Sequence, residues 1–122
     1  MLVQSLALLA TVSFSPCASG MLAAMSPCSA PPGTKITVKV RNPNRIYTAL
    51  LFTPAGTDPN GRNERTIRAT LAGKGSGFYS ATLPSELCAP HNGGHLIYDV
   101  NLAGALGIRL DKLGQFDVIC ST

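Results

Sequence analysis

Hydrophobic and polar residues alternate with a period of two along much of the chain beyond Lys35. In KITVKVR (35–41), Ile36, Val38 and Val40 share one side, and the residues between them are polar or charged. Because successive side chains of a β-strand point to opposite faces, this pattern predicts a half-buried strand. RTIRATL (65–71) and HLIYDVNL (95–102) alternate in the same way, and the nearly continuous apolar run IYTALLFT (46–53) predicts a more deeply buried strand.

Shorter segments of similar composition complete the pattern. FYSATL (78–83), GALGIRL (104–110) and QFDVIC (115–120) bring the total to about seven strands, separated by segments rich in Gly, Pro and Asn. PSELCA (84–89) is suited to one helical turn, and no segment after the first 20 residues shows a sustained helical period. The sequence therefore predicts a mainly β fold: a single small antiparallel β-sheet domain, sandwich- or barrel-like.

The first 14 residues differ from the rest of the chain. Residues 2–14 form an apolar run that Pro16 ends, and no charged side chain precedes Lys35. The run is shorter than the roughly 20 residues that span a bilayer, and small residues follow it, which is typical of a secretory signal peptide. A buried core helix is the alternative. We assign residues 1–19 to a signal peptide cut between Ser15 and Gly20, and residues 20–122 to a secreted, extracellular domain without an integral membrane segment.

Four cysteines, Cys17, Cys28, Cys88 and Cys120, fit a secreted domain of this size, because small secreted domains usually need disulfides. Ser-Pro-Cys occurs twice, and the first copy lies in the cleavage zone. A cut before Cys17 leaves four cysteines, whereas a cut after it leaves three, with Cys88 as an odd thiol. The earlier cut leaves nothing unpaired and is the one we favour.

Charge is unevenly distributed. The net charge is +4, and residues 35–74 hold eight basic and two acidic side chains. Lys39, Arg41, Arg65 and Arg68 occupy outward positions of two predicted strands, with Tyr79 as a nearby aromatic. These five residues form the predicted binding site: a basic face suited to phosphates, anionic lipid or acidic polysaccharide. The alternative is a solvated face that keeps the protein soluble.

Candidate chemistry is sparse. His91 and His95 are four residues apart in HNGGH, with Cys88 and Asp99 nearby, but this spacing matches no strong metal motif, and Gly-Gly is typical of a turn. Glu86 has no second carboxylate beside it in the sequence. We therefore predict no metal, no small-molecule cofactor and no enzymatic constellation.

The last third of the chain reads GFYSATLPSELCAPHNGGHLIYDVNLAGALGIRL, followed after three residues by GQFDVICS. This segment, 77–122, resembles the C-terminal half of small secreted fungal ribonucleases of the guanyl-specific and ribotoxin type. HLIYD corresponds to a central strand of that family, LAGALGIRL corresponds to its hairpin, and FDVICST corresponds to its C-terminal segment. The resemblance implies, as an alternative fold, an α+β ribonuclease-like domain with one short helix.

The resemblance does not extend to the catalytic residues. Ribonucleases of this family use a carboxylate base, an arginine on the phosphate and a histidine acid. The corresponding positions hold Ser80, His95 and either Ile108 or Arg109. The resemblance therefore implies a non-catalytic relative, like the effectors that plant-pathogenic fungi secrete. It also implies that Cys28 pairs with Cys120, which leaves Cys17 for Cys88 if the cut precedes Cys17.

Three hypotheses of function follow. The first is a secreted, disulfide-stabilised, non-catalytic binding protein, a ribonuclease-like fungal effector in virulence, whose basic face binds a host macromolecule, either RNA or an acidic protein surface. The second is an immunoglobulin-like sandwich that binds a protein or glycan; it predicts a Cys88–Cys120 bond between the sheets and no helix. The third is an active secreted ribonuclease that uses His91, His95 and Glu86.

Overall fold

The computed structural model describes residues 14–56, 65–73, 77–89 and 93–120, which form two packed β-sheets. Nine strands lie in these residues: β1 (Ala18–Ser19), β2 (Ala23–Ser26), β3 (Ser29–Ala30), β4 (Lys35–Val40), β5 (Tyr47–Pro54), β6 (Ile67–Thr70), β7 (Phe78–Thr82), β8 (His95–Gly104) and β9 (Arg109–Ile119). The helical segments of the described residues are two 3₁₀ turns, Ser85–Cys88 and Ala105–Gly107. The mainly β fold class is confirmed, as is a helical turn within residues 84–89.

One sheet contains four strands in the order β1-β2-β4-β7, and the other contains five in the order β3-β9-β8-β5-β6. All pairs are antiparallel except β3, which runs parallel to the end of β9. The predicted strands at 104–110 and 115–120 are wrong in detail, because 109–119 is one strand and 105–107 is the turn before it.

The strand order defines the architecture. Strands β2-β4-β7 facing β9-β8-β5-β6 reproduce the A-B-E and G-F-C-C′ arrangement of an immunoglobulin-like sandwich. Tyr98, near the start of β8, donates its hydroxyl to the carbonyl of Leu87 in the β7–β8 connection at 2.5 Å, as in the tyrosine corner of that fold. The chain has no tryptophan, so the core lacks the Trp found in antibody domains.

The core lies between the two sheets, where the inward positions of the alternating strands meet. Phe52 of β5 contacts Tyr98 and Phe116 edge to face, with ring centroids 6.4 and 6.1 Å apart. Ile36 and Val38 of β4 belong to the same buried cluster. Each aromatic pair adds about 0.5–1.5 kcal/mol to what its buried area contributes, and β5 and β9 therefore anchor the five-stranded sheet.

The margins of the sandwich are joined, so the fold approaches a barrel. On one side, Ala72 and Ser80 exchange backbone hydrogen bonds of 2.9 and 2.8 Å and link the end of β6 to β7. On the other side, the Asp111 carboxylate accepts the backbone N–H groups of Met21 and Leu22 at 3.0 and 2.8 Å. The turn after β1 is thus fixed to β9.

The disulfides join Cys17 to Cys28 and Cys88 to Cys120, and no cysteine is free. The pairing of Cys28 with Cys120, and of Cys17 with Cys88, is therefore wrong. The cause is local: β1 pairs with β2, and the Cys17 amide donates to the Met25 carbonyl at 3.1 Å, which brings Cys17 beside the second Ser-Pro-Cys. Cys88 pairs with Cys120 as the immunoglobulin-like hypothesis predicts, but the bond joins the 3₁₀ turn before β8 to the end of β9 and does not bridge the two sheets. The two 3₁₀ turns also contradict its prediction of no helix.

Candidate functional site

The clearest polar surface is the outer face of β4 and β7, which we call the basic strand face: Lys35, Lys39, Arg41 and Phe78. Ile36, Val38 and Val40 are buried, so the alternation of β4 turns Lys35 and Lys39 outward. Arg41 is exposed directly after the strand. In the described part of the chain the one ion pair is His95–Asp117, so these cations meet no described carboxylate.

Phe78 gives this face an aromatic centre. It lies opposite Lys39 in the β4–β7 register, is 39% exposed, and has the Lys39 ammonium 5.6 Å from its ring centroid. Phe14 packs edge to face on it at 5.9 Å and lines two depressions beside Lys39. Phe14 precedes the predicted cut, so these contacts belong to the uncleaved chain, and the site rests on Lys35, Lys39, Arg41 and Phe78. The face can therefore hold an anionic, partly apolar surface by charge and contact.

A second concavity, the arginine groove, has a volume of about 830 Å³ and lies between residues 43–48 and 68–73. Arg45 and Arg68 line it, and at its base Tyr47 and Tyr79 meet edge to face at 5.7 Å. The Tyr47 hydroxyl donates to the Asn42 carbonyl at 3.1 Å. Burial raises the pKa of Tyr47 above its ordinary value, with Arg45 opposing the shift, so this phenol remains a neutral donor.

The structure distributes the five predicted binding residues over both sheets. Lys39 and Arg41 lie on the four-stranded sheet, whereas Arg65 precedes β6 and Arg68 lies on it, in the five-stranded sheet. Tyr79 is 5% exposed and faces the core opposite Val38. Arg68 and Tyr79 do line one concavity, the arginine groove. The predicted residues thus occupy two surfaces rather than one face.

Sequence reasoning missed Phe78, although a signal for it exists. Tyr79, Ala81 and Leu83 are in phase and buried, so the alternation of β7 requires Phe78 to face outward. The aromatic residue beside Lys39 is therefore Phe78, which is adjacent in sequence to the predicted Tyr79.

The candidate metal and nucleophile residues do not assemble a site. Cys88 is bonded to Cys120, and His91 lies outside the described residues. His95 contacts Asp117 through Nδ1 at 2.9 Å on the surface. No group of three His, Cys, Asp or Glu side chains suited to a metal occurs among the residues described.

The positions that correspond to the ribonuclease catalytic residues are far apart. His95 and Arg109 are at opposite ends of the β8–β9 hairpin, because His95 pairs with Ile119 and Arg109 with Ala103. Eight residues of strand separate His95 from Ala103, which corresponds to roughly 26 Å. Ser80 lies in the other sheet. These side chains do not converge on one phosphate.

No protein-family model matches this chain, and the search of curated proteins finds no significant relative. Among the described residues, no helix has the length and apolar character needed to cross a membrane. Evidence on function is therefore confined to the chemistry of the surfaces above.

Proposed function

We propose that this protein is a secreted, non-catalytic binding module of the immunoglobulin-like sandwich class, and that its basic strand face binds an acidic protein surface. The class is supported by the strand order and by the Tyr98–Leu87 hydrogen bond. Two disulfides in a domain of this size are compatible with an oxidising, extracellular compartment.

The observation that carries the choice of partner is the pairing of Lys39 with Phe78. A lysine beside a half-exposed aromatic ring, with Lys35 and Arg41 along the same strand, matches a surface that presents carboxylates next to apolar side chains. Single-stranded RNA is the rival partner, because it also offers negative charge. Of the aromatic residues considered for this face, Phe78 is exposed and Tyr79 is buried. Stacking of successive bases needs several exposed aromatic rings, so we favour the acidic protein.

The experiment is a fluorescence-anisotropy titration of two labelled probes at low and at physiological salt. One probe is a peptide in which Asp and Glu alternate with Leu, and the other is a uridine oligoribonucleotide. We expect tighter binding of the peptide. We also expect Lys39→Glu to weaken it by about fivefold, because an exposed ion pair contributes up to about 1 kcal/mol and the reversed charge adds repulsion. Lys112→Glu makes the same charge change on β9 of the other sheet and is the matched control.

Three results decide between the hypotheses. Preference for the RNA probe, with a steep loss of affinity at higher salt, replaces the acidic protein by RNA and supports the ribonuclease-like effector suggested by residues 77–122. Cleavage of a second oligoribonucleotide that contains guanosine, abolished by His95→Ala, supports an active ribonuclease. Binding of neither probe, or an equal effect of Lys39→Glu and Lys112→Glu, removes the basic strand face as the site.

A further inference from the structure

The exposed hydrophobic side chains of the described residues are concentrated at one end of the sandwich, which we call the loop end: residues 20–22, 41–46, 71–73, 77–78 and 104–109. Five of the six large hydrophobic residues that are exposed lie there: Met21 (84%), Ile46 (65%), Phe78 (39%), Leu106 (95%) and Ile108 (59%). The sixth, Ile97, lies further along β8, away from this end. Such a concentration is unusual for scattered surface residues.

Strand register places these residues together. Val40 pairs with Ala23 and Lys39 with Phe78, so the turn at 20–22 and the start of β7 lie where β4 ends. Tyr47 pairs with Gly104, so the β8–β9 turn lies where β5 begins. The loop end is therefore a single surface formed by four connections.

The β8–β9 turn carries the most exposed of these side chains, Leu106. The Gly104 amide donates to the Ile108 carbonyl at 2.9 Å and closes the turn. A Cβ at Gly104 would lie 3.2 Å from the Ile46 carbonyl oxygen, which shows how closely the two loops approach. Leu106, at the tip, has a positive φ of 63°, a conformation that non-glycine residues rarely adopt. A strained, almost fully exposed leucine has no packing role in the folded chain.

Cations surround these aliphatic side chains. Arg41, Arg45 and Arg109 lie in or beside the loops, and a Cβ at Gly107 would lie 3.4 Å from a guanidinium nitrogen of Arg68. Among the described residues of this end the acidic side chain is Asp111, whose carboxylate already accepts the Met21 and Leu22 amides. The loop end is therefore both apolar and positively charged.

We propose that the loop end docks on an anionic lipid bilayer, with Leu106, Ile46 and Ile108 inserted below the headgroups and the arginines at the headgroup phosphates. Aliphatic side chains on projecting turns, ringed by arginine, match the two layers of a membrane interface, apolar below and anionic above. The loop end shares Arg41 and Phe78 with the basic strand face, but Leu106, Ile46 and Ile108, which carry the insertion, lie outside that face, so the vesicle test and the titration of Lys39→Glu can fail separately.

Vesicle sedimentation tests the proposal. We expect the protein to sediment with phosphatidylcholine vesicles that contain one quarter phosphatidylglycerol, to bind pure phosphatidylcholine weakly, and to lose binding as salt rises. Leu106→Asn combined with Ile46→Ser should weaken partitioning by about tenfold or more, since it removes most of the inserted aliphatic surface. Asparagine tolerates the positive φ at position 106, so the variant is expected to fold.

Ile97→Ser is the matched control, because it removes an exposed aliphatic side chain away from the loop end. Equal loss of binding in the two variants, or no binding to anionic vesicles, overturns the proposal. Analytical ultracentrifugation tests whether the loop end binds a second copy of the chain instead of a membrane. A wild-type dimer that dissociates when Leu106→Asn and Ile46→Ser are introduced would show this.

Discussion

Asp111 shows how one side chain determines the path of the N-terminal segment. Its two carboxylate oxygens accept the amides of Met21 and Leu22 at 3.0 and 2.8 Å, about 90 residues away in sequence. A Cβ at Gly20 would collide with that carboxylate, so the turn approaches β9 as closely as glycine allows. A partly exposed carboxylate with two charge-assisted bonds therefore holds the margin of the sandwich.

We expect Asp111→Ala to reduce the free energy of unfolding by about 1–3 kcal/mol, because two backbone donors lose a charged acceptor. Asp99→Ala is the control: its described contact is a 3.5 Å hydrogen bond from Gln115 on the surface, and we expect a change within about 0.5 kcal/mol. Urea denaturation of both variants measures the difference. Equal midpoints would show that the Asp111 bonds contribute nothing to stability.

The burial of a residue could be predicted where apolar and polar residues alternate strictly. The role of a residue could not be predicted where it depends on a contact with a segment distant in the sequence. The buried phase of β4 follows directly from Ile36, Val38 and Val40. The role of Asp111 could not be found, because its partners are backbone amides about 90 residues away, which no local pattern links to it. Tyr79 was assigned to the binding site although the alternation of buried and exposed residues in β7 turns it towards the core.

At the scale of elements, the central strands were predicted and the N-terminal ones were not. β4 to β8 follow apolar patterns of four or more residues, which local sequence reveals. β1 and β3 have two residues each and form through pairing with β2 and β9, which no local pattern encodes. The segment 104–110 looked like a strand because Leu106 and Ile108 are apolar, whereas in the structure both are exposed at a turn.

The two disulfides staple different elements and are expected to differ in their effect on stability. Cys17–Cys28 closes 11 residues and Cys88–Cys120 closes 32. In the chain-entropy model these loops correspond to about 3 and about 4 kcal/mol. We therefore expect Cys88→Ser with Cys120→Ser to destabilise the fold by about 1 kcal/mol more than Cys17→Ser with Cys28→Ser.

Thermal unfolding of the two double variants tests this order, and each variant is the control for the other because the substitutions are identical. The reverse order would mean that strand β1, which Cys17 precedes, contributes more than loop closure does. That outcome would show that Cys17–Cys28, at the N-terminal margin, stabilises the fold more than Cys88–Cys120, which begins in the β7–β8 connection.

For the whole molecule, the segregation of charge and apolar surface depends on topology. Residues 21, 46, 78, 106 and 108 are dispersed in the sequence, and strand register alone brings them to one end. The basic residues of 35–74 form a group in the sequence, yet β4 and β6 belong to different sheets, so the residues predicted to share one face lie on two surfaces. Composition predicts how much charge a chain carries, and topology decides which surfaces share it.

The position of the predicted leader cut bears on the whole molecule. The boundary of 1–19 for the leader stays a prediction, and the fold favours a cut at its early limit. A chain that begins at Gly20 lacks Cys17 and β1, which leaves the Cys28 thiol without its partner. A cut before Cys17 keeps both disulfides and the turn that Asp111 holds.

We therefore expect the mature chain to retain Cys17. Alkylation of the native protein should modify no cysteine, and alkylation after reduction should modify all four, as intact mass will show. The same spectrum gives the first residue, which should lie at or before Cys17. A first residue at Gly20 with one alkylated thiol would contradict the prediction, and it would mean that the N-terminal strand and its disulfide are absent from the working protein.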